Sequence, residues 1–371
     1  PAMFTPQQHH PDWRPPFCPN PDCPFHGTGG PRWRYKKTGF FRRQARPHRI
    51  QRFTCTHCRR SFSTQTFSTT YRQRLPQLDA LLILKSVGGM ANRQIARDLG
   101  VCPATVDRRL ERLGRHCLLL HAVMMQDANP ISHIVIDGFV TFERSQYQPF
   151  HFHLAVEKGT DFVPYFTDSE VRRSGTMTEP QKRYRAEFER QHGRPDPQAV
   201  RKDMRELLEV VIGSQAEVTI DSDNHRAYPV AMRGLAPRIR HRVTSSKARR
   251  DHRNPLWEAN LVDGLIRHSS ANHKRETIAW SKRRQAAAER LAVFVVWRNY
   301  MKGRREKVRG SPTPAMARGM IDRAWTVQDV LAERLFPSLV RLPGRWRLYY
   351  ERGVATRGAR NRVERRRRYA F

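Results

Sequence analysis

Two short apolar segments that each end on an aspartate constrain the fold of this chain more than any other feature. Their sequences are His-Ile-Val-Ile-Asp at 133–137 and Glu-Val-Thr-Ile-Asp at 217–221. In each case, β-branched residues followed by a polar break predict a buried central strand. An acidic side chain at the end of such a strand is held at the rim of a sheet. Asp137 and Asp221 could therefore share a divalent cation such as Mg²⁺, because hard cations take oxygen ligands.

The charge of the chain indicates what kind of partner it binds. The 371 residues include 69 Lys and Arg against 34 Asp and Glu, a net charge of +35 that is spread from the first hundred residues to the last ten. A field of this sign concentrates polyanions, so nucleic acid is the expected partner and an acidic membrane surface is the alternative. No window approaches the ~20 apolar residues of a membrane span, and the N-terminal residues lack the layout of a signal peptide. We expect a cytoplasmic, nucleoid-associated protein that does not bind membranes.

Four of the six cysteines lie in two close pairs before residue 60. These pairs are Cys18 with Cys23 and Cys55 with Cys58. Four thiolates satisfy a tetrahedral structural Zn²⁺, and such a site stabilises a segment too small to bury a core of its own. Because two short strands are predicted between the pairs, we expect a zinc ribbon. His26 or His57 could replace one ligand, and unpaired thiols in a disordered basic arm are the alternative.

Residues 76–120 change to helical periodicity and contain the spacing of a helix-turn-helix. Ala96 lets two helices approach closely, Gly100 makes the turn and Val106 packs the second helix inward. Pro103 suits the first turn of that second, recognition helix. The residues expected to face a DNA groove or its phosphates are Thr105, Arg108, Arg109 and Arg112. An ordinary helical hairpin is the alternative.

The second half of the chain is predicted to be an α/β domain. Its elements follow the order three strands, helix, strand, helix, strand, helix, which is the order of the RNase H-like fold, a mixed sheet flanked by helices. In that fold the first and fourth strands are neighbours, so Asp137 and Asp221 are expected to lie side by side. For either aspartate alone, a strand cap or a turn residue is the alternative. The predicted strands are 131–143, 150–156, 162–166, 217–221 and 238–243.

Two further segments resemble a known family. Arg275-Glu-Thr-Ile-Ala-Trp-Ser-Lys-Arg283 and Val296-Trp-Arg-Asn-Tyr300 are similar to segments of bacterial insertion-sequence transposases of the DDE class. The resemblance extends from Cys18 to about Lys302. It implies an enzyme that binds double-stranded DNA at the ends of its element, acts as a homo-oligomer, and uses Mg²⁺ or Mn²⁺ for DNA cleavage and strand transfer. It also implies that Asp137 and Asp221 are the first two catalytic carboxylates and metal ligands.

The third catalytic carboxylate departs from the family pattern. The family has a Glu early in the last helix, ahead of an Asn, and an ungapped match on residues 277–282 places Asn260 and Asp263 at these two positions. We predict Asp263 as the third catalytic residue. The alternatives are Glu258 and Glu276. Asp223 is kept as a substitute ligand only, because we expect it on the opposite face of the strand from Asp221.

The motifs and the family resemblance together imply four regions. They are a zinc ribbon at 1–70, a helix-turn-helix at 71–125, an RNase H-like DDE catalytic domain at 126–305 and a helical, basic extension at 306–371. Within the extension, Trp346, Tyr349 and Tyr350 lie among many arginines, a pattern that suits binding of a nucleic-acid backbone or an oligomer contact. A disordered basic arm is the alternative, and we prefer it for the last fifteen residues.

Three other functions compete with the transposase. A DNA-binding transcriptional regulator with a catalytically inactive RNase H-like domain would need only the two N-terminal regions, and the missing Glu at position 260 favours it. A nuclease or resolvase on the same fold would cleave DNA without joining strands. A structural RNA-binding protein is supported by charge alone and gives no reason for two aspartates that end buried strands.

Overall fold

The computed structural model describes residues 13–245, 247–275 and 277–359. In these residues the chain forms a three-stranded sheet, a five-stranded sheet and eleven α-helices. The strands are β1 Tyr35–Arg42, β2 Arg49–Cys55, β3 Ser61–Ser63, β4 His133–Phe142, β5 Pro149–Glu157, β6 Tyr165–Glu170, β7 Glu217–Ser222 and β8 Arg238–Val243. The helices are α1 Leu78–Val87, α2 Asn92–Asp98, α3 Pro103–Gln126, α4 Glu179–His192, α5 Ala199–Ile212, α6 Ala227–Met232, α7 Trp257–Ser269, α8 Arg284–Val296, α9 Pro314–Ala317, α10 Val327–Val330 and α11 Gly344–Tyr350. None of the described helices is long and apolar enough to cross a membrane.

The N-terminal region is a small antiparallel sheet in the order β1-β2-β3. Its core is aromatic, because Trp33, Phe53, Phe62 and Phe67 are all buried against the cysteines. So few buried residues make a marginal core, as expected of a segment of this length. A metal site at the cysteines would supply the missing stability.

Helices α1, α2 and α3 follow, and α2, the turn and α3 lie where the sequence spacing predicts them. Ala96 and Val106 are buried, and Gly100 has a φ of +62°, a left-handed conformation that glycine adopts at low cost. Pro103 is the first residue of α3. This helix continues to Gln126 and packs along α8, where Gly114 is required because a Cβ there would collide with the backbone of Glu289.

The five-stranded sheet has the order β6-β5-β4-β7-β8. The β4–β5 and β5–β6 pairs are antiparallel, whereas β4–β7 and β7–β8 are parallel. Helix α7 contacts β4 and β5, and α5 contacts β5 and β6, so the sheet is flanked by helices. This mixed α/β arrangement is consistent with an RNase H-like fold, and it places the strand of Asp137 directly beside the strand of Asp221.

One strand is displaced from its predicted position. The apolar residues from 162 to 166 were expected to form the third strand, but β6 begins at Tyr165 and ends at Glu170. Phe162 and Val163 are fully buried in the connection before β6. The Asn299 side chain satisfies the backbone there, because its Oδ1 accepts from the Val163 N–H at 3.0 Å and its Nδ2 donates to the Val163 carbonyl at 2.8 Å.

The C-terminal residues up to 359 are part of the core. Trp346, Tyr349 and Tyr350 are buried, and the Trp346 indole N–H donates to the Phe166 carbonyl at 3.0 Å. The prediction that these aromatic residues contact nucleic acid or another subunit is therefore wrong for the described fold. They are spaced on one face of α11, a pattern that core burial explains equally well. The prediction of a disordered arm concerns residues 357–371, of which 360–371 lie outside the described residues.

The segment between α10 and α11 connects the helical core to the N-terminal sheet. The Arg334 backbone N–H donates to the Phe67 carbonyl at 3.0 Å, and the Thr69 hydroxyl donates to the Leu331 carbonyl at 2.7 Å. Phe336 completes the small aromatic core from the other side, with its ring 5.4 Å from that of Phe17. The C-terminal chain therefore holds the N-terminal sheet against the rest of the molecule.

Candidate functional site

The four predicted cysteine ligands come together. The Sγ atoms of Cys18, Cys23, Cys55 and Cys58 all lie within 4.8 Å of one another, and those of Cys18 and Cys58 are 3.6 Å apart. Among the described residues, no other group of three or more His, Cys, Asp or Glu side chains is clustered this closely. Four sulfur atoms around one point are the donor set of a structural Zn²⁺ site.

Hydrogen bonds favour the thiolate form of one of these cysteines. Burial tends to raise the pKa of Cys55, but the Trp33 indole N–H and the backbone N–H groups of Cys58 and His57 oppose it and lower the pKa to about 7. The Trp33 Nε1 lies 3.3 Å from the Cys55 Sγ. Burial instead raises the pKa of Cys18 and Cys23. Because metal ligation requires deprotonated thiols, Cys55 is the thiol of the cluster best prepared to bind zinc.

Neither predicted histidine substitute joins the cluster. Both ring nitrogens of His26 are already engaged, Nδ1 with the Cys18 carbonyl at 2.8 Å and Nε2 with the Ser338 hydroxyl at 2.7 Å. His57 packs its ring against Phe25, 5.5 Å between centroids. The four cysteines therefore remain the candidate ligand set for zinc.

An open cleft of about 1640 Å³ lies between the N-terminal sheet and α3. Thr105, Arg108 and Arg112 line it from α3, and their contact with DNA stays a prediction. Of the described lining residues only Asp22 is acidic. We call this space the arginine-lined cleft, because its lining includes Arg43, Arg52, Arg60, Arg72, Arg74, Arg108, Arg109, Arg112 and Arg334. Such a surface attracts a polyanion strongly.

Arg109 does not face DNA as predicted. Its guanidinium is almost fully buried and forms an ion pair with Asp79 at 2.8 Å, while Nη2 donates to the Leu75 carbonyl at 3.1 Å. The side chain also donates to Gln73, so it joins α3 to the segment before α1. A position next to Arg108 in sequence lies about 100° around a helix, and this rotation directs Arg109 into the core.

A second site lies where the middle of β4 meets the carboxyl end of β7. Asp137 is partly accessible, and burial raises its pKa to about 6, with further increases from the nearby carboxylates of Asp223 and Asp263. The backbone N–H of Gly138, 2.7 Å from Oδ1, and the charge of Arg250 act in the opposite direction. The carboxylates of Asp223, beyond the end of β7, and Asp263, on α7, are thus close enough to act on that of Asp137. We call Asp137, Asp223 and Asp263 the acid cluster.

The register of the sheet explains why Asp223 belongs to this cluster. Val135 lies opposite Asp221 in the parallel β4–β7 pair. Strand β7 ends at Ser222, so Asp223 is one residue beyond it, two residues after Asp221 just as Asp137 is two residues after Val135. Our placement of Asp223 on the opposite face was wrong, because residues two apart in a strand share a face. The alternation of strand faces could have revealed from the sequence that the two aspartates of Asp-Ser-Asp share a side, but not which of them meets Asp137.

Asp221 is engaged differently from the acid cluster. Its side chain is 0% exposed, and Oδ1 and Oδ2 accept from Arg242 Nε at 2.6 Å and Nη2 at 2.8 Å. His133 Nε2 lies 2.9 Å from Oδ2. These contacts outweigh burial and lower the pKa of Asp221. Both carboxylate oxygens of Asp221 therefore already have cationic or hydrogen-bonding partners, and a metal ion would have to displace them.

The candidates for the third acid separate clearly. Asp263, on α7, has one carboxylate oxygen 3.2 Å from Arg267 Nε, while its buried Oδ1 has no hydrogen-bond partner among the described residues. Glu258 instead accepts from Lys158 Nζ at 2.8 Å and from the Gly159 N–H at 3.3 Å, contacts that fix the start of α7 to the β5–β6 turn. Glu276 lies outside the described residues.

Close packing surrounds the acid cluster. Gly138 is required because a Cβ there would collide with the Phe152 carbonyl and approach His151 Nε2. Burial lowers the pKa of His151 to about 4, so this imidazole is neutral at pH 7. Tyr228 is buried nearby, and its pKa is raised well above 10 by burial and by the charges of Asp137 and Asp223. Neither His151 nor Tyr228 could be predicted from the sequence as part of this site, because both come from elements with ordinary core patterns.

Comparisons with known proteins find only distant likenesses. No protein-family model matches the chain, and no curated protein matches it. The simian T-cell lymphotropic virus intasome in complex with the PP2A regulatory subunit B56 gamma is 13% identical at a TM-score of 0.24, over 51% of this chain and 54% of that one. The Mos1 mariner paired end complex with Mn is 10% identical at a TM-score of 0.23, over 73% and 77%. The catalytic domain of the Mos1 mariner transposase is 12% identical at a TM-score of 0.18, over 42% and 71%.

The chain thus spans about half the length of the intasome chain that it resembles. These neighbours are a DDE-type transposase and a retroviral intasome, and at such TM-scores the likeness carries no weight for the fold or the site. The description of the fold and of the site rests on the strand order and the contacts given above.

Proposed function

We propose that this protein is a DDE-type transposase, which binds the ends of its DNA element and catalyses divalent-ion-dependent cleavage and strand transfer. The observation that carries the proposal is the acid cluster, three partly accessible carboxylates from the middle of β4, the residue after the end of β7 and helix α7, in a chain of net charge +35. Carboxylates that converge in so basic a protein favour a cation-dependent reaction on a polyanion.

The proposed catalytic residues are Asp137, Asp223 and Asp263. Asp223 takes the place that the sequence resemblance gave to Asp221, because the charge of Asp223 acts on Asp137 whereas Asp221 is already paired with Arg242. The fit to a cation is supported by the unpartnered buried Oδ1 of Asp263 and by the raised pKa of Asp137, since a bound cation would relieve the repulsion that burial and neighbouring acids create.

Bound Mg²⁺ or Mn²⁺ would activate the attacking oxygen and neutralise the leaving oxygen of the phosphodiester. The chain's own contribution is positioning and charge. Asp137 is fixed by the Gly138 N–H, and Asp223 Oδ1 accepts from the backbone N–H of His225 at 3.0 Å. Arg250 supplies positive charge close to Asp137, where it would face the phosphate. Phosphoryl transfer needs little else from a protein.

The N-terminal regions supply DNA recognition in this proposal. The cysteine cluster, loaded with zinc, would fix the small sheet that forms one wall of the arginine-lined cleft, and α3 forms the other wall with Arg108 and Arg112. Arginines on both walls would neutralise phosphates of a duplex end held between them. Arg109 has no direct part, since it is buried against Asp79.

The test is metal-dependent cleavage of DNA that carries the sequence flanking the gene. Zinc-loaded protein should nick this DNA with Mg²⁺ or Mn²⁺, leave a 3′-hydroxyl and join it to a second duplex. Asp137→Asn, Asp223→Asn and Asp263→Asn should each reduce the rate about 100-fold or more, because charge stabilisation by bound metal is worth several kcal/mol. Asp322→Asn, at an exposed acid outside the cluster, is the matched control.

A DNA-binding regulator is the second candidate. It is favoured by the spacing of the acid cluster, whose oxygens do not all lie within 4.8 Å of one another in the described residues. Under this alternative the protein binds the same DNA through the arginine-lined cleft, but no divalent ion produces cleavage. Cleavage without joining would instead indicate a nuclease or resolvase.

A further inference from the structure

A row of arginines follows the edge of the central sheet next to the acid cluster. Strand β8 is the last in the sheet order, and Arg238, Arg240 and Arg242 alternate along it, so all three share one face. All three are exposed. We call them the β8 arginine row. In the parallel register they lie opposite Glu217, Thr219 and Asp221 of β7.

Arg242 is the most rigidly held member of the row. Its Nε and Nη2 form a bidentate ion pair with Asp221, and Nη2 also lies 2.8 Å from His133 Nε2. The carboxylate is 0% exposed whereas the arginine side chain is 52% exposed. Among the described residues Nη1 makes no hydrogen bond, so one edge of a fixed guanidinium is presented to solvent. A planar donor held in this way is preorganised for a phosphate oxygen.

The row leads towards the acid cluster. β7 and β8 are parallel, so Arg242 lies at the same end of the sheet as Asp223. The chain after β8 then brings Arg250 close enough to lower the pKa of Asp137. Residues 238–253 contain seven Lys or Arg and one acid, Asp251. A basic path therefore runs along the open edge of the sheet and ends at the carboxylates.

We propose that the β8 arginine row binds the phosphate backbone of the DNA strand that enters the acid cluster, and that Asp221 positions Arg242 for this contact. The choice of DNA rests on the proposed function. A second copy of the chain is a poor occupant of this edge, because pairing two such strands would oppose arginine to arginine, and charged side chains are a common means of preventing edge-to-edge pairing. The row is separate from the arginine-lined cleft, which the N-terminal sheet and α3 form.

The experiment measures DNA binding without chemistry. Zinc-loaded full-length protein is titrated onto a fluorescent duplex of the flanking sequence, in buffer without Mg²⁺ and without chelator, from 50 to 200 mM salt. Arg238→Gln/Arg240→Gln should lower the salt dependence of log Kd by up to about 1.8, since each lost phosphate contact lowers it by about 0.9. The control is Arg183→Gln/Arg190→Gln on the exposed helix α4. Each double variant removes one arginine that is ion-paired with a Glu, Arg190 in the control and Arg240 in β8. Each also removes one arginine, Arg183 or Arg238, for which no ion pair is described.

The proposal is overturned if the control variant lowers the salt dependence of log Kd as much as the β8 double variant does. So would a binding loss in the β8 variant that is confined to an RNA duplex of equal length. Because no cleavage is needed, a protein that cleaves no DNA but retains the β8 effect would refute the proposed enzyme and leave this DNA-binding edge standing.

The positioning role of Asp221 has its own readout. Arg242→Lys keeps the charge and loses the bidentate geometry, so DNA binding should weaken about 10-fold, while Mn²⁺ binding to the acid cluster stays unchanged. Asp221→Asn should weaken DNA binding similarly, although it removes a negative charge. The combined variant Arg242→Lys/Asp221→Asn should bind DNA no more weakly than either single variant, because both substitutions remove the same interaction. Tighter DNA binding by Asp221→Asn would refute the positioning role.

Discussion

Replacing Asp137 with Asn should stabilise the metal-free protein at neutral pH. Burial raises the pKa of Asp137 to about 6, and the neighbouring carboxylates of Asp223 and Asp263 add to this effect. The folded state therefore holds the proton more tightly than the unfolded state, whose pKa is near the ordinary value of 3.8. The sign follows from linkage: the folded state loses stability as pH rises from about 4 to about 6, and the loss persists at higher pH.

The difference between 3.8 and about 6, at 1.36 kcal/mol per pKa unit, corresponds to about 3 kcal/mol above pH 6. Because Asp137 is partly accessible, solvent screening reduces this value, and we expect Asp137→Asn to gain about 1–3 kcal/mol at pH 8. The gain should shrink as pH falls towards 5. Added Mn²⁺ should stabilise the wild-type protein but not the variant, since the ion supplies the charge that the acid cluster lacks.

The assay is thermal or urea unfolding of zinc-loaded protein without free divalent ions, between pH 5.5 and 8. Asp322→Asn, at an exposed acid, is the control and should show no gain that grows with pH. If Asp137→Asn is no more stable than wild type at pH 8, or if its gain is the same at every pH, Asp137 is not in the strained, acidic environment described here.

Four other changes test the rest of the structure. Cys58→Ser should remove bound zinc and unfold the N-terminal sheet, measured by metal content and hydrogen exchange, whereas retained zinc would contradict the four-cysteine site. Arg109→Ala should cost about 3–5 kcal/mol of stability by leaving Asp79 buried and unpaired. Arg108→Ala should leave stability unchanged and lower the salt dependence of DNA binding by about 0.9. Trp346→Ala should cost about 3–5 kcal/mol, because the indole is buried in the core, and a neutral result would place α11 outside it.

The sequence was sufficient for the elements whose pattern is local. The strand that ends near Asp221, the strand at 238–243 and the helices on either side of Gly100 lie where periodicity and turn residues predict them. The cysteine pairs converge as their spacing implies. Each of these depends on interactions between residues close in the chain, or on one donor set that leaves few alternatives.

The failures concern direction and long-range contacts. Arg109 was predicted to face DNA. Its neighbours on the helix do not reveal that it forms an ion pair in the core with Asp79, thirty residues earlier in sequence. Trp346 and Tyr349 looked like exposed aromatic residues among arginines, and only the fold shows that β6 covers them. Phe162 was predicted in a strand because it is apolar, yet it is buried in a connection that Asn299 supports at Val163.

The acid cluster shows both sides of this comparison. Strand order alone predicted that the strands of Asp137 and Asp221 would be neighbours, and they are. Which aspartate of the pair 221 and 223 meets Asp137 depends on the register, which a sequence does not specify across eighty intervening residues. The ion pair of Asp221 with Arg242 was likewise invisible, because β8 had no assigned partner before the sheet was known.

The most direct test of this account is Mn²⁺ binding by Asp223→Asn and Asp221→Asn, followed by electron paramagnetic resonance on zinc-loaded protein. The account predicts that Asp223→Asn loses Mn²⁺ bound at the acid cluster, whereas Asp221→Asn keeps it with nearly the wild-type affinity. Loss of Mn²⁺ by Asp221→Asn together with full binding by Asp223→Asn would contradict the assignment of the site.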